Sequence, residues 1–255
     1  MKFDELDAKM RVFETAHDYC VLPDVFMVAR IDGRSFTRLT KEVQKFEVPF
    51  DVRMRDLMVE TTKHLMTCGF DCFFGYTQSD EISLLFHPDI TTFDRKTRKF
   101  NSILAGEASA KFSQLLNDRA CFDCRISELP NANLVVDYFR WRNEDANRNA
   151  LNGWCYWTLR KKGLSVKETT EMLEGKSVAY KNELLFQHGI NFNEVPLWQS
   201  RGTGLYWESY EKPAVNKLTG EEVTAMRRRI KVDFELPVKD IYSEFIKKIL
   251  TDLSE

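Results

Sequence analysis

The sequence predicts an α/β (α+β) fold: a mixed sheet with flanking helices, then a helical and β-hairpin extension. Three observations carry this expectation. Short apolar or aromatic runs at residues 25–31 (VFMVARI), 70–77 and 82–86 (ISLLF) read as buried strands. Stretches of helical period separate and follow them, at about 50–69 and 92–117. The order strand, helix, hairpin, helix, strand in the first half places helices on one face of a single sheet.

Each element has its own local signal. Residues 4–19 carry Leu6, Met10, Phe13 and Ala16 at helical spacing and read as an amphipathic helix. The strand at 25–31 ends at Asp32-Gly33, a turn signal. Pro49 opens a helical stretch with Met54, Leu57, Met58, Thr61 and Leu65 on one face, and Gly69 stops it. Gln78-Ser79-Asp80 is a polar turn between the two strands of a hairpin. Residues 92–117 read as a long helix, 121–126 as a strand, and 132–162 as a second long helix rich in Trp, Arg and Asn. Ser165-Val166-Lys167-Glu168 is a capping box, with Gly175 at the far end of a short helix, and 176–188 reads as another helix. The remainder is β-like: 204–211, a turn at 217–220, and 225–234. A catalytic region over 1–130 and a helical and hairpin region over 131–255 are expected to pack as one compact unit.

Composition limits the function classes. The chain has 255 residues, 43% hydrophobic and 30% charged, as soluble globular proteins do. Its formal net charge is −2, so any nucleic-acid surface must be a local cluster. No apolar run approaches the roughly 20 residues that span a bilayer, and no membrane association is expected. Six cysteines are few for this length and point to reduced thiols in a cytoplasmic protein. Cys121-x-x-Cys124 has no second pair to complete a zinc site.

Two acidic sites carry the chemistry. In Arg30-Ile31-Asp32-Gly33-Arg34-Ser35-Phe36 an aspartate ends a buried strand, held rigidly yet reaching solvent. The glycine lets backbone approach a ligand closely, and the amides beyond it can cradle phosphate oxygens. In Gln78-Ser79-Asp80-Glu81 two carboxylates sit at a hairpin tip. Either segment alone is equally a common turn. Together they place Asp32 and Asp80 at one sheet edge if their strands are neighbours. Carboxylates about 4 Å apart repel by a few kcal/mol at an effective dielectric near 20. A divalent cation removes that cost, and hard oxygen ligands suit Mg²⁺. Lys96 and Lys99 lie three apart on one helix face, beside Arg95 and Arg98, as a basic patch. Arg140, Arg142 and Asn149 on the second long helix, with Lys181 and Asn182, are candidate RNA contacts. Trp141 is either a further contact or core packing. Arg227, Arg228, Arg229 and Lys231 lie on a strand, where alternation divides them between two faces; they meet RNA phosphates, or protect an edge.

These motifs resemble the tRNA-histidine guanylyltransferase superfamily, most closely its Thg1-like, repair-type branch. The resemblance rests on RIDGRSF (30–36), FEVPFD (46–51), QSDE (78–81), DYFRWR (137–142), KNELLF (181–186) and GINFN (189–193), six ordered motifs over most of the chain. It implies a palm-like (ferredoxin-like) sheet of the polymerase and cyclase kind. It implies two Mg²⁺ ions on Asp32, Asp80 and the Gly33 carbonyl, with Glu81 as supporting carboxylate. Gly33, Arg34, Ser35 and Phe36 would line a triphosphate with Ser79 close by, and Lys96 and Lys99 would be its basic pair. ATP, GTP or other NTPs, a tRNA substrate and a homotetramer follow from the same resemblance. The implied activity is 3′-to-5′ addition of nucleotides to a tRNA 5′ end. Two departures stand out. Asn147-Arg148-Asn149-Ala150 replaces a His-Ile-Asn-Asn tetrad, which favours templated 5′-end repair over strict guanosine addition to tRNA-histidine. Val48 replaces the usual lysine of the FEKPFD motif, which bears on 5′ activation. A nucleotide cyclase on the same sheet and a non-catalytic RNA-binding module are the competing readings.

Overall fold

The computed structural model describes residues 1–215 and 222–251. One antiparallel sheet runs through it, in the order β4-β1-β3-β2-β5-β6. The strands are β1 (Phe26–Gly33), β2 (Cys72–Gln78), β3 (Glu81–Phe86), β4 (Phe122–Leu129), β5 (Thr203–Val215) and β6 (Glu222–Asp233). The first four form a ferredoxin-like β-α-β-β-α-β unit, with α3 (Val52–Leu65) and α4 (Thr97–Leu116) as the two crossovers. The palm-like expectation therefore holds, although every described strand pairing is antiparallel rather than mixed.

Pleating explains the layers. Met27, Ala29 and Ile31 of β1 pack with Met58 and Val59 of α3 and with Phe100, Leu104 and Phe112 of α4. Val28, pointing the other way, packs with Val135 and Phe139 of α5 (Ala132–Lys161) and with Tyr242 and Ile246 of α9 (Lys239–Thr251). Helices thus cover both faces, not one. The second layer comes from the C-terminal half, where the hydrophobic face of α5 lies against Phe74, Tyr76 and Leu85. Fully buried Phe74, Phe86, Phe100 and Phe139 each add roughly 2–3 kcal/mol of burial. A third, smaller core joins the far end of α5 to α7 (Val178–Gln187) through Leu151, Cys155, Leu184 and Leu185.

Local signals set most boundaries. The Asp51 carboxylate accepts from the Arg53 amide and caps α3. Asn131 caps α5 in the same way, and the capping box at Ser165 and Glu168 opens α6 (Val166–Leu173). Other expectations needed correction. The helix α1 (Phe3–Thr15) ends short of residue 19, and none of its residues is buried: Leu6, Met10 and Phe13 keep their apolar face uncovered. The helix expected over 92–117 is broken at its start. Phe93, Asp94 and Arg95 have positive φ, and α4 begins only at Thr97. The Arg95 guanidinium is the cause. It is buried and donates to the carbonyls of Val21, Val25, Pro88 and Ile90, clasping two loops together. The strand expected over 121–126 runs on to Leu129, and the one over 204–211 runs on to Val215. The turn expected at 217–220 lies outside the described residues.

Candidate active site

The site grows from the end of the β1–β3 ladder. Asp32 is paired opposite Glu81, and the Gly33 amide donates to the Asp80 carbonyl at 3.0 Å. The two acidic segments are therefore neighbours, which meets the condition under which the sequence places Asp32 and Asp80 at one sheet edge. The intervening turn is tight: Ser79 has φ 51°, and its hydroxyl donates to Asp80 Oδ1 at 3.0 Å. Gly33 is obligatory for steric reasons. A Cβ there would lie 2.5 Å from the Phe36 ring, which is itself packed between Phe112 and Phe122. Arg34 and Ser35 are exposed, and Ser35 adopts left-handed φ where it caps the short helix α2 (Phe36–Arg38).

The acidic groups have different surroundings. Burial pushes the Asp80 carboxyl above the usual carboxylate range; the Ser79 hydroxyl and a backbone amide oppose this, and the charges of Asp32 and Glu81 add to it. Asp32 faces cations instead, with Arg30 at 3.4 Å and Arg125 at 3.5 Å. Glu81 is held from both sides. Arg30 takes one carboxylate oxygen, and Arg142 takes the other at 2.8 Å. Arg142 continues to Asp145 at 2.9 Å, which also accepts from Arg148 and Asn149. A chain of charge-assisted bonds thus ties the rim of the sheet to the middle of α5.

Beside Asp80 opens a cavity of about 260 Å³. Its walls include Phe36, Lys41, the 46–51 loop, Ser79, Asn149 and Ala150, with Trp157 and Trp198 as aromatic surfaces. Lys41 lies 5.0 Å over the Trp157 ring, and Phe50 meets Trp198 edge-on at 5.8 Å. Val48 lines the same cavity, its carbonyl accepting from Lys161. A concave site with aromatic walls and a few polar groups suits a nucleotide.

Several candidates fall elsewhere. Lys96 and Lys99 stand at the start of α4, past the far end of β3. Six strand residues put them about 20 Å from the Asp80 turn. Lys96 is engaged by Asp94 and Asp18, and Lys99 lies over Phe93. The basic patch does not assemble, because Arg95 is buried and Arg98 is paired with Asp18. Arg142 is not an RNA contact: it is 2% exposed and committed to Glu81 and Asp145. Arg140 is bound to Glu144 and Asp240. Lys181 and Asn182 sit on α7, away from the acidic rim, where Asn182 donates to the Val178 carbonyl. Trp141 is 54% exposed, with the Arg142 guanidinium 4.4 Å from its ring centre, so it is not core.

Sequence reasoning missed the roles of Arg30, Arg125, Lys41, Trp157 and Trp198. Arg30 had a signal, since period two puts it on the same strand face as Asp32. Arg125 had none, because the β1–β4 register is invisible in the sequence.

The residues fit a magnesium ion by donor chemistry. A buried, hard-to-ionise carboxyl beside a second acid is a site that gains from a cation. Among the described residues, no three His, Cys, Asp or Glu side chains form a complete ligand cage. Mg²⁺ does not need one: it commonly takes one or two carboxylates and leaves the rest to water and substrate phosphates.

Comparison with known proteins shows the family of the chain. The family model described as tRNAHis guanylyltransferase matches residues 7–130, and that of its C-terminal domain matches residues 133–243. A probable tRNA(His) guanylyltransferase of Mus musculus is 31% identical over 240 residues, covering 88% of this chain and 80% of the mouse protein. A bacterial Thg1-like protein solved in complex with GTP superposes with a TM-score of 0.73 at 28% identity, covering 96% of this chain and 99% of that one. A bacterial Thg1-like protein in complex with ATP gives a TM-score of 0.77 at 26% identity, covering 96% and 98%. With its acidic rim, its antiparallel palm and both domain matches in order, the chain belongs to the tRNA(His) guanylyltransferase (Thg1) family.

Proposed function

We propose that this chain is a magnesium-dependent nucleotidyltransferase that extends the 5′ end of a tRNA in the 3′-to-5′ direction. The observation that carries the reading is the meeting of Asp32 and Asp80 at one end of the β1–β3 ladder, beside an aromatic-walled cavity. Relatives solved with GTP and with ATP support a nucleoside triphosphate as ligand.

Asp32, Asp80 and the Gly33 carbonyl would hold two Mg²⁺ ions. When bound, they supply charge neutralisation at the triphosphate and at the attacking and leaving oxygens. The chain's own residues do the positioning. Exposed Arg34 and Ser35, after the glycine, offer donors for phosphate oxygens. Trp157, Trp198 and Lys41 offer stacking faces and a cation within the cavity. Arg30 and Arg142 clamp Glu81, which keeps the end of β3 in register with Asp32. Glu81 therefore acts as a positioning group. In the reaction, the 5′ end is activated by adenylylation or arrives as a triphosphate. The 3′-hydroxyl of the incoming nucleotide then attacks the 5′ phosphorus, and AMP or pyrophosphate leaves. Phosphoryl transfer demands little else from a protein beyond alignment and charge.

Asn147-Arg148-Asn149-Ala150 favours templated repair over strict guanosine addition. Arg148 and Asn149 are drawn to Asp145, and Ala150 leaves a small wall in the cavity. The homotetramer follows from the family resemblance, and the uncovered apolar face of α1 offers a surface for such self-association. The test supplies labelled GTP to a tRNA lacking its first nucleotide, with each base in turn at the opposing position. Mg²⁺-dependent incorporation that follows the opposing base is expected, and Asp80→Ala should abolish it while the chain stays folded. Full incorporation by Asp80→Ala refutes the site. Incorporation of G regardless of the opposing base refutes templating.

A further inference from the structure

The β5–β6 ribbon leaves the body of the fold. β5 pairs with β2 only between Thr203 and Tyr206, yet its ladder with β6 runs on to Val215. Beyond Trp207, whose indole N–H donates to the Cys72 carbonyl, the ladder partner of β5 is β6 alone. A two-stranded ribbon is marginally stable by itself in water. The ribbon's own side chains are therefore expected either to brace it or to meet something.

Strand alternation sorts those side chains. Tyr206, Glu208, Tyr210 and Lys212 share one face with Lys231, Arg229 and Arg227 across the ladder. That face holds four cations and one carboxylate. Over the same span the opposite face, with Trp207, Ser209, Glu211, Met226, Arg228 and Ile230, holds one cation and one carboxylate. On the cationic face Lys231 lies 5.5 Å over the Tyr206 ring, and Arg229 lies 5.0 Å over Tyr210. Charges that only guard an edge strand have no reason to choose one face. Lys212, from the other strand of the ribbon, adds to that same face. In a chain whose net charge is −2, this asymmetry is a local feature with a direction.

We propose that the cationic face of the β5–β6 ribbon grips the phosphate backbone of double-helical RNA, in the stem of the tRNA that leads away from its reacting end. Arg227, Arg229 and Lys231 alternate along one strand at roughly 6.8 Å, a spacing suited to successive phosphates. Backbone contacts of this kind hold register and orientation and carry no base sequence. Thr203 lines the cavity; Tyr206, opposite Lys231, is three strand residues away and Lys212 is nine, so the grip runs from about 10 Å to about 30 Å from the cavity. This inference rests on the reading that the substrate is a tRNA.

The test is Lys212→Glu/Arg227→Glu/Lys231→Glu, three exposed positions, in the full chain. Filter binding gives Kd for whole tRNA, and for a hairpin too short to reach from the cavity to Arg227 and Lys212, across a salt series. For whole tRNA, Kd should rise at least tenfold, and the slope of log K against log salt should shrink by about 2 to 3. Single-turnover addition at saturating tRNA should not change, and the short hairpin should lose no more than the single contact to Lys231. If the reversed variant melts early, the Lys212→Gln/Arg227→Gln/Lys231→Gln form reads the same slope. An unchanged slope with whole tRNA overturns the inference. So does a changed oligomeric state by light scattering with RNA affinity intact, which would make the ribbon an interface between copies. Wild type that extends tRNA while the variant keeps its slope sinks the ribbon alone. Wild type that neither binds nor extends tRNA sinks the underlying reading too.

Discussion

Replacing Arg142 by methionine removes one charge from a chain of four buried or half-buried groups. The Arg142 side chain is 3% exposed and lies 2.8 Å from Glu81 and 2.9 Å from Asp145, which are 17% and 14% exposed. Methionine fills much of the space but leaves two carboxylates facing a gap where a cation stood. Breaking one partner out of a buried pair costs about 3–5 kcal/mol. Glu81 keeps Arg30 and Asp145 keeps Arg148, so the lower end applies, about 3 kcal/mol. For a chain of this size each kcal/mol lowers Tm by about 2–4 °C, which gives a fall of about 6–12 °C. Circular dichroism melting at neutral pH measures it. The double variant Glu81→Gln/Arg142→Met should recover part of the loss, because the uncompensated carboxylate is gone. A fall of less than about 2 °C, or strictly additive single effects, would refute the network.

Two further outcomes follow from the same site. The Asp51 carboxyl is held down at about 2, chiefly by the Arg53 guanidinium and with help from the Glu47 and Arg53 amides. Its folded value is depressed, so its stability is present above about pH 4 and is lost as pH falls toward 2. Asp51→Ala should therefore lose about 2 kcal/mol in urea unfolding at pH 7 and almost nothing relative to wild type at pH 2; equal losses at both would refute the assignment. Asp80 is the opposite case. Burial raises its folded value, so its contribution favours the fold at low pH and is lost as pH rises through that value. Metal-free Asp80→Asn should melt above wild type at pH 7, and Mg²⁺ should raise the Tm of wild type but not of the variant. Equal Mg²⁺ shifts in both would exclude Asp80 as a ligand.

What was legible in the sequence was whatever local pattern decides. The period-two and helical runs gave the strand–helix–hairpin–helix–strand order, and Asp32-Gly33 and Ser79-Asp80 announced turns that the ladder then joined. The caps at Asp51, Asn131 and Ser165 were likewise written in adjacent residues. The failures share one cause, since charge and spacing do not say where a side chain ends. Lys96 and Lys99 look like phosphate ligands by helical spacing, but α4 begins at the wrong end of the sheet. Arg95 and Arg142 look like surface cations, but one clasps four carbonyls and the other points from α5 onto the sheet against Glu81.

The chain's own sequence fixed which residues are acidic, where strands stop and which helices start, because these depend on neighbours within a few positions. The tertiary structure alone decided that Arg125 of β4 faces Asp32 and that Trp157 and Trp198 share one cavity with Asp80. It also decided that the ribbon's cations gather on one side. Register, layer order and burial are set by contacts between segments tens of residues apart, and no local pattern encodes the free energy of those contacts.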